Sequence, residues 1–97
     1  MRVLFTPRAF SDREAIYEYL VSRSPSGARN VMTRINATIT LLAEQPAIGY
    51  RTENPQVRVK FVGEYPYKIF YRVRGDDLQI CTSVIRPGGH GWGRADR

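Results

Sequence analysis

The spacing of apolar side chains changes near residue 46, from a helical period to alternation. Upstream, apolar residues recur at intervals of three and four along residues 25–44, which is typical of an amphipathic helix. Pro46 prevents that helix from continuing. Downstream, residues 57–62 and 67–74 alternate apolar and polar side chains, as strands of a half-buried sheet do. The chain is therefore expected to place helices before a sheet, which is an α+β organisation.

Local signals divide these two halves into elements. Residues 3–6 form a β-branched and aromatic run that predicts a short strand. Residues 11–14, Ser-Asp-Arg-Glu, read as a capping box and predict the start of the first helix. Ser24 and Pro25 predict the start of the second helix, so a short connection makes an antiparallel helical hairpin. Residues 75–77, Gly-Asp-Asp, predict a tight turn before the last strand. We expect the order β-α-α-β-β-β, with an antiparallel sheet packed against the N-terminal helical hairpin.

Composition limits the classes of function that need to be considered. The 97 residues make one domain with a net charge of +6 and a pI near 10.0, which favours a polyanionic or acidic partner. The lone Cys81 excludes an internal disulfide and is interpreted as a small buried side chain. Apolar runs are too short for a membrane span or a secretion signal, so a cytoplasmic location is expected. No residues stand at metal-ligand or phosphate-loop spacing, and no cofactor is expected.

Positively charged side chains are predicted to gather on the open face of the sheet. They come from neighbouring strands, with one aromatic ring among them: Arg58, Lys60, Lys68, Phe70, Arg72 and Arg74. Arg51 and Arg86 are expected at the rim of this surface. Cations interleaved with an aromatic ring can hold a phosphate backbone and stack an unpaired base. The alternative is that exposed cations prevent strands from associating edge to edge.

Cleavage of RNA without a metal would need a base and an acid beside these cations. His90 is the only residue with an ordinary pKa near neutrality, and Tyr71 or a lysine of lowered pKa are substitutes. His90 lies in a basic, glycine-rich tail, residues 87–97, which follows the predicted domain of residues 1–86. In this tail, contact with a partner by Trp92 and Arg94 is the alternative to chemistry by His90.

Two stretches together resemble the RelE/ParE family of bacterial toxins. The first is L-L-A-E-x-P-x-x-G-x-R at residues 41–51, and the second is Y-x-Y-x-I-x-Y-R-V at residues 65–73, with an arginine on the strand between them. The resemblance spans roughly residues 3 to 86. It implies a small curved sheet carrying two N-terminal helices. It also implies a toxin of a type II toxin–antitoxin system, made with a neighbouring antitoxin that wraps and neutralises it.

The family leaves the target of such a toxin open. ParE-like members inhibit DNA gyrase without nuclease activity, whereas RelE-like members are ribosome-dependent endoribonucleases that cut messenger RNA. The positions that match the family are Arg58, Tyr71, Arg72 and the end of the last strand. That end carries a working polar residue in many members, but here it falls on Ile85 or Arg86, which favours the ParE-like alternative. A third hypothesis is a member that has lost toxicity and is retained for antitoxin binding and autoregulation.

Overall fold

A computed structural model of the chain describes residues 1–84. Strand β1 spans Arg2–Phe5, helix α1 Pro7–Val21, helix α2 Pro25–Glu44, and a 3-10 turn Pro46–Ile48. Strands β2 (Tyr50–Arg51), β3 (Arg58–Phe61), β4 (Lys68–Arg74) and β5 (Asp77–Val84) follow. The α+β prediction and the helical hairpin are confirmed. The described part of the chain contains one strand more than predicted, because β2 has only two residues and its sequence carries no alternation.

Helix α1 begins at Pro7, four residues before the predicted capping box. Thr6 is its N-cap: the hydroxyl accepts a hydrogen bond from the amide of Ala9 at 3.1 Å and donates one to the carbonyl of Cys81 at 2.9 Å. Pro7 fits the first helical position because its missing amide hydrogen would have no partner there. The prediction that Ser11 starts the helix is wrong, since a threonine followed by proline supplied an earlier and better-connected start.

Helix α2 begins where the sequence predicted. The hydroxyl of Ser24 accepts a hydrogen bond from the amide of Gly27 at 3.1 Å, and Pro25 takes the first helical position. The buried side of the helix carries Ala28, Val31, Ile35, Thr38, Ile39 and Leu42. Full burial of a Val, Ile or Leu side chain stabilises the fold by about 1.5–3 kcal/mol. Within residues 1–84, neither helix is long and apolar enough to cross a membrane.

The sheet has the strand order β1-β5-β4-β3-β2. Strands β2 to β5 pair antiparallel, whereas β1 runs parallel to β5, with Val3 beside Leu78 and Phe5 beside Ile80. The sheet is therefore mixed, and the prediction of an antiparallel sheet is wrong for its first strand. The cause is the connection: two helices separate β1 from the other strands, which leaves enough chain to return to the sheet in either direction.

The helices cover one face of the sheet, which we call the inner face. Its central side chains are fully buried: Ile69 and Tyr71 of β4, and Leu78 and Ile80 of β5. One irregularity interrupts the β4–β5 pairing, because Tyr71 lies opposite Ile80 while Phe70 lies opposite Thr82. Cys81 is the extra residue of this bulge. The opposite face of the sheet, which we call the outer face, carries the half-buried or exposed side chains of Lys68, Phe70, Arg72 and Arg74 on β4.

Candidate functional site

The strand register divides the predicted basic surface between the two faces of the sheet. Directly opposed residues of an antiparallel pair share a face. Arg58 lies opposite Tyr71 and Lys60 lies opposite Ile69, so both cations of β3 belong to the inner face. The prediction that they share one face with the cations of β4 is wrong. The predicted alternation of apolar and cationic side chains along β3 is correct, but the prediction of which side of β3 faces the core is wrong.

Lys68, Phe70, Arg72 and Arg74 do share the outer face, as predicted. They alternate along β4 with the buried Ile69 and Tyr71. The Nε of Arg72 donates to Oε1 of Gln79 on β5 at 2.6 Å, which fixes its guanidinium across the sheet. Arg51 is exposed and lies opposite Arg58, so it belongs to the inner-face row at the edge of the sheet.

Arg58 and Tyr71 meet on the backbone of the turn that follows α2. The hydroxyl of Tyr71 donates to the carbonyl of Pro46 at 2.7 Å and accepts from the amide of Gly49 at 3.0 Å. Nη1 of Arg58 donates to the carbonyl of Gly49 at 2.9 Å. Two side chains from neighbouring strands thus hold one short segment, which we call the turn lock: Pro46, Gly49, Arg58 and Tyr71. The family positions Arg58 and Tyr71 therefore have a structural task in this chain.

Gly49 is required in the turn lock by lack of space. Its φ of −74° is ordinary for any residue. A Cβ at this position would lie 2.3 Å from Oη of Tyr71 and 2.8 Å from its Cε1, which is far inside contact distance. The glycine of the stretch at residues 41–51 thus lets the turn approach the phenol closely enough to hydrogen bond with it.

The environment of the turn lock keeps the phenol protonated. Burial raises the pKa of Tyr71, and the hydrogen bond from Gly49 and the charge of Arg58 only partly offset it. The Tyr71 side chain is fully buried and both of its hydrogen-bonding positions are occupied by backbone. Burial also raises the pKa of the Cys81 thiol, against the opposing charge of Arg72. Neither group is presented as an acid or base near neutral pH.

Arginines from both faces surround a groove at the edge of the sheet. Strand β4 continues three residues beyond Tyr71, the last residue that β3 pairs with, and the groove opens beside this extension. Its volume is about 500 Å³, and Arg58, Arg72 and Arg74 line it together with Pro55, Gln56, Tyr71, Val73 and Gly75. We call it the arginine groove. No carboxylate is among these lining residues, so the groove is suited to an anionic group.

Aromatic rings form a second feature, on the outer face. Tyr50 of β2 and Phe61 of β3 have ring centroids 5.9 Å apart and are 65% and 49% exposed. The ammonium of Lys68 lies 5.9 Å from the ring centroid of Phe61 and 6.0 Å from that of Phe70. We call Tyr50, Phe61 and Phe70 the aromatic face. The sequence pattern missed Tyr50 because β2 is so short. The expected outward placement of Arg58 and Lys60 implied that Phe61, on the other side of β3, faces the core, and the observed register reverses this.

Four predicted site residues lie outside the described part of the chain: Arg86, His90, Trp92 and Arg94. Their roles stay predictions. Of the remaining candidates, the structure brings Arg58, Arg72 and Arg74 to one groove, and it separates Lys60 and Lys68 on opposite faces. Gly49 was part of the family stretch, but its role depends on a contact with Tyr71, 22 residues away. No local pattern predicts such a contact.

Solved structures of bacterial toxins share this fold. The chain aligns with the isolated RelE toxin of E. coli at a TM-score of 0.66 and 13% identity, over 98% of this chain and 94% of that one. It aligns with a chain of the chromosomal ParDE TA system from P. aeruginosa at a TM-score of 0.76 and 27% identity, over 90% and 97% of the two chains. The molecule therefore has a RelE/ParE-like toxin fold.

The sequence places the chain within that class. Residues 3–88 match the family described as the ParE toxin of the type II toxin-antitoxin system parDE. A relative from Sinorhizobium fredii, Y4kP, whose name describes a candidate toxin, is 32% identical over 81 residues, which are 84% of this chain and 83% of the relative. The chain belongs to the ParE family of toxins from type II toxin–antitoxin systems. The resemblance found in the sequence is thereby confirmed.

Proposed function

We propose that this toxin acts as a ParE-like inhibitor of DNA gyrase in the cytoplasm and is neutralised by a cognate antitoxin. The observation that carries the proposal is the chemistry of the arginine groove. Its charged side chains are guanidiniums, which stay protonated, and its phenol is buried and bonded to backbone. Such a groove can bind an anionic group, but its described lining residues offer no acid–base pair for cleavage. Binding without chemistry is what inhibition of a protein target requires.

The charge of the chain supports an acidic antitoxin. The net charge is +6, and the lining of the arginine groove carries three cations without a carboxylate. An antitoxin segment rich in Asp and Glu would gain charge-assisted hydrogen bonds with these guanidiniums. The relative from P. aeruginosa is described as part of a ParDE TA system, and by analogy we propose a hetero-oligomer of toxin and antitoxin here.

The alternative function is ribosome-dependent cleavage of messenger RNA. The same groove supports it in part, because three guanidiniums could stabilise the developing charge of a phosphorane. Under this alternative, Arg58, Arg72 and Arg74 bind the phosphate, and the acid or base comes from His90, beyond the described residues.

Two assays on the purified toxin separate the two targets. The first follows supercoiling of relaxed plasmid by gyrase, and the second follows cleavage of messenger RNA on translating ribosomes. The variants are Arg72→Ala and Arg74→Ala, with Arg29→Ala as the matched control, because Arg29 is an exposed arginine on α2 away from the groove. Arg58→Ala is less informative, since it also removes a bond of the turn lock.

We expect the wild type and Arg29→Ala to block supercoiling equally. We expect Arg72→Ala and Arg74→Ala each to raise the half-inhibitory concentration by about 10-fold, the loss of one charge-assisted contact. Cleavage of ribosome-bound message with intact supercoiling would replace the proposal by the ribonuclease alternative. Activity in neither assay, from a folded toxin that still binds its antitoxin, would favour a member that has lost toxicity.

A further inference from the structure

We propose that the aromatic face binds single-stranded nucleic acid, with bases stacking on Tyr50 and Phe61 and phosphates contacting the cations of β4. This inference goes beyond the proposed inhibition of gyrase and does not depend on it. It concerns the outer face of the sheet, whereas the turn lock lies on the inner face and the arginine groove at the sheet edge.

The rings of the aromatic face are arranged as stacking surfaces. Tyr50 lies opposite Val59, and Val59 lies opposite Phe70, so these three side chains form one cross-strand row on the outer face. Phe61 lies two residues beyond Val59 on β3 and therefore on the same face. The Tyr50 and Phe61 rings are tilted by 60° rather than stacked on each other, and both are about half exposed or more. Each ring thus offers its own surface to a base.

Cations follow the rings along one strand. Lys68, Phe70, Arg72 and Arg74 occupy successive outer-face positions of β4, so a positive track about 20 Å long runs beside the rings. Lys68 is held near the Phe61 and Phe70 rings, and Arg72 is fixed by Gln79. A track of this length is suited to a backbone of about four nucleotides.

Few negative charges oppose this track. Among the described residues, the carboxylates that approach the outer-face rows of β4 and β5 are already partnered. Asp77, opposite Arg74, is bonded to Arg2 at 3.0 Å. Asp12 of α1 accepts a hydrogen bond from Thr82, which lies opposite Phe70, and is 3.6 Å from Arg8. A sheet with helices on one face and exposed aromatic side chains with cations on the other is an arrangement that proteins use to bind unpaired bases. The exposed rings suit a base better than a protein side chain, because stacking needs only a ring surface, whereas a protein anchor needs an enclosing pocket.

The test measures binding of fluorescent oligonucleotides to the full chain by anisotropy, without gyrase, ribosomes or antitoxin. The probes are oligothymidylate and oligouridylate of about twelve nucleotides and a DNA duplex of similar length. Stacking and phosphate contacts are common to both sugars, so the two single strands should bind with similar affinity. The duplex should bind more weakly, because its bases are already stacked and paired.

Phe61→Ala and Tyr50→Ala should each weaken single-strand binding by about fivefold or more. Phe10→Ala is the matched control: this ring is 56% exposed, but it lies on α1 and its loss should leave binding unchanged. For three phosphate contacts the logarithmic salt slope should be about −2, and Arg74→Gln should reduce it by about 0.7. Arg29→Gln should leave the slope unchanged.

Absence of single-strand binding by the wild type at low salt would overturn the inference. So would equal losses in Phe61→Ala and Phe10→Ala. If the ring variants keep oligonucleotide affinity but lose affinity for the antitoxin, the aromatic face is a protein-docking surface and the inference is wrong. None of these outcomes depends on gyrase, so the proposed function and this inference fail separately.

Discussion

Replacing Gly49 with alanine tests whether the turn lock stabilises this fold. The added Cβ would lie 2.3 Å from Oη, 2.8 Å from Cε1 and 2.9 Å from Cζ of Tyr71. Ordinary contacts lie near about 3.5 Å, so the phenol or the turn has to move by about 1 Å. The phenol is fully buried and its hydroxyl bonds to Pro46 and Gly49, so neither side can move without loss.

The expected cost of Gly49→Ala follows from two contributions. Overpacking a rigid site costs about 1–3 kcal/mol. A buried polar group that loses its partner costs about another 1–3 kcal/mol. We expect the free energy of unfolding to fall by about 2–6 kcal/mol, measured by urea denaturation at constant pH. For a domain of this size the melting temperature should fall by at least about 10 °C.

A double-mutant cycle with Tyr71→Phe makes this reasoning specific. The phenylalanine removes the oxygen nearest to the new Cβ, but two ring carbons remain close, so rescue should be incomplete. The double variant should be more stable than the two single losses predict, by at least about 1 kcal/mol. Gly75→Ala is the control, because its φ of 60° costs about 1–2 kcal/mol while no heavy atom lies within 4 Å of the added carbon. That loss should add fully to the loss caused by Tyr71→Phe.

A loss below about 0.5 kcal/mol for Gly49→Ala, or full additivity of Gly49→Ala with Tyr71→Phe, would refute the stabilising role of the turn lock.

Three further predictions concern single groups. Because the pKa of Tyr71 is raised in the folded protein, the protonated phenol stabilises the fold fully below its ordinary pKa of 10.0, and this contribution is lost as the pH rises through the raised value. The urea midpoint of Tyr71→Phe should therefore fall less steeply in alkali than that of the wild type. Thr6→Ala should cost about 1–2 kcal/mol because it removes the cap of α1, while Ser11→Ala should stay within about 0.5 kcal/mol; equal losses in thermal unfolding would contradict the observed helix start. Leu42→Ala should cost about 2–5 kcal/mol by calorimetry, since this fully buried side chain leaves a cavity beneath the sheet, and a smaller loss would mean that the core collapses around it.

Much of the fold could be predicted from the sequence because its signals are local. The cap at Ser24, the apolar side of α2 and the turn at Gly75 each depend on residues a few positions apart. The start of α1 was misplaced for the same reason. A capping box at Ser11 is a valid local signal, but the Thr6 hydroxyl is also held by the carbonyl of Cys81, and this distant bond is invisible in the sequence.

The site was predicted less well because it depends on register. Strand β3 carries two apolar and two cationic side chains, so alternation identifies its two sides without indicating which one meets the helices. The pairing of Arg58 with Tyr71 places the cationic side of β3 on the inner face, and hydrogen bonds to Gly49 stabilise this register. In this register Phe61 lies on the outer face and not in the core, where the expected register would place it. Because of this difference in register, the structure has an arginine groove and a separate aromatic face where the sequence predicted one basic surface.

The parallel pairing of the first and last described strands has a consequence for the order in which this fold is completed. Arg2 and Asp77, 75 residues apart, lie side by side, and β5 joins β1 to the rest of the sheet. The helical hairpin is local and can form early, but β1 cannot join the sheet until β5 is in place. A chain that ends before β5 contains every residue of the aromatic face and every lining residue of the arginine groove, but its β1 has no strand to pair with and its Arg72 lacks the bond to Gln79. The position of Arg72 in the arginine groove therefore depends on a strand that contributes no lining residue to that groove.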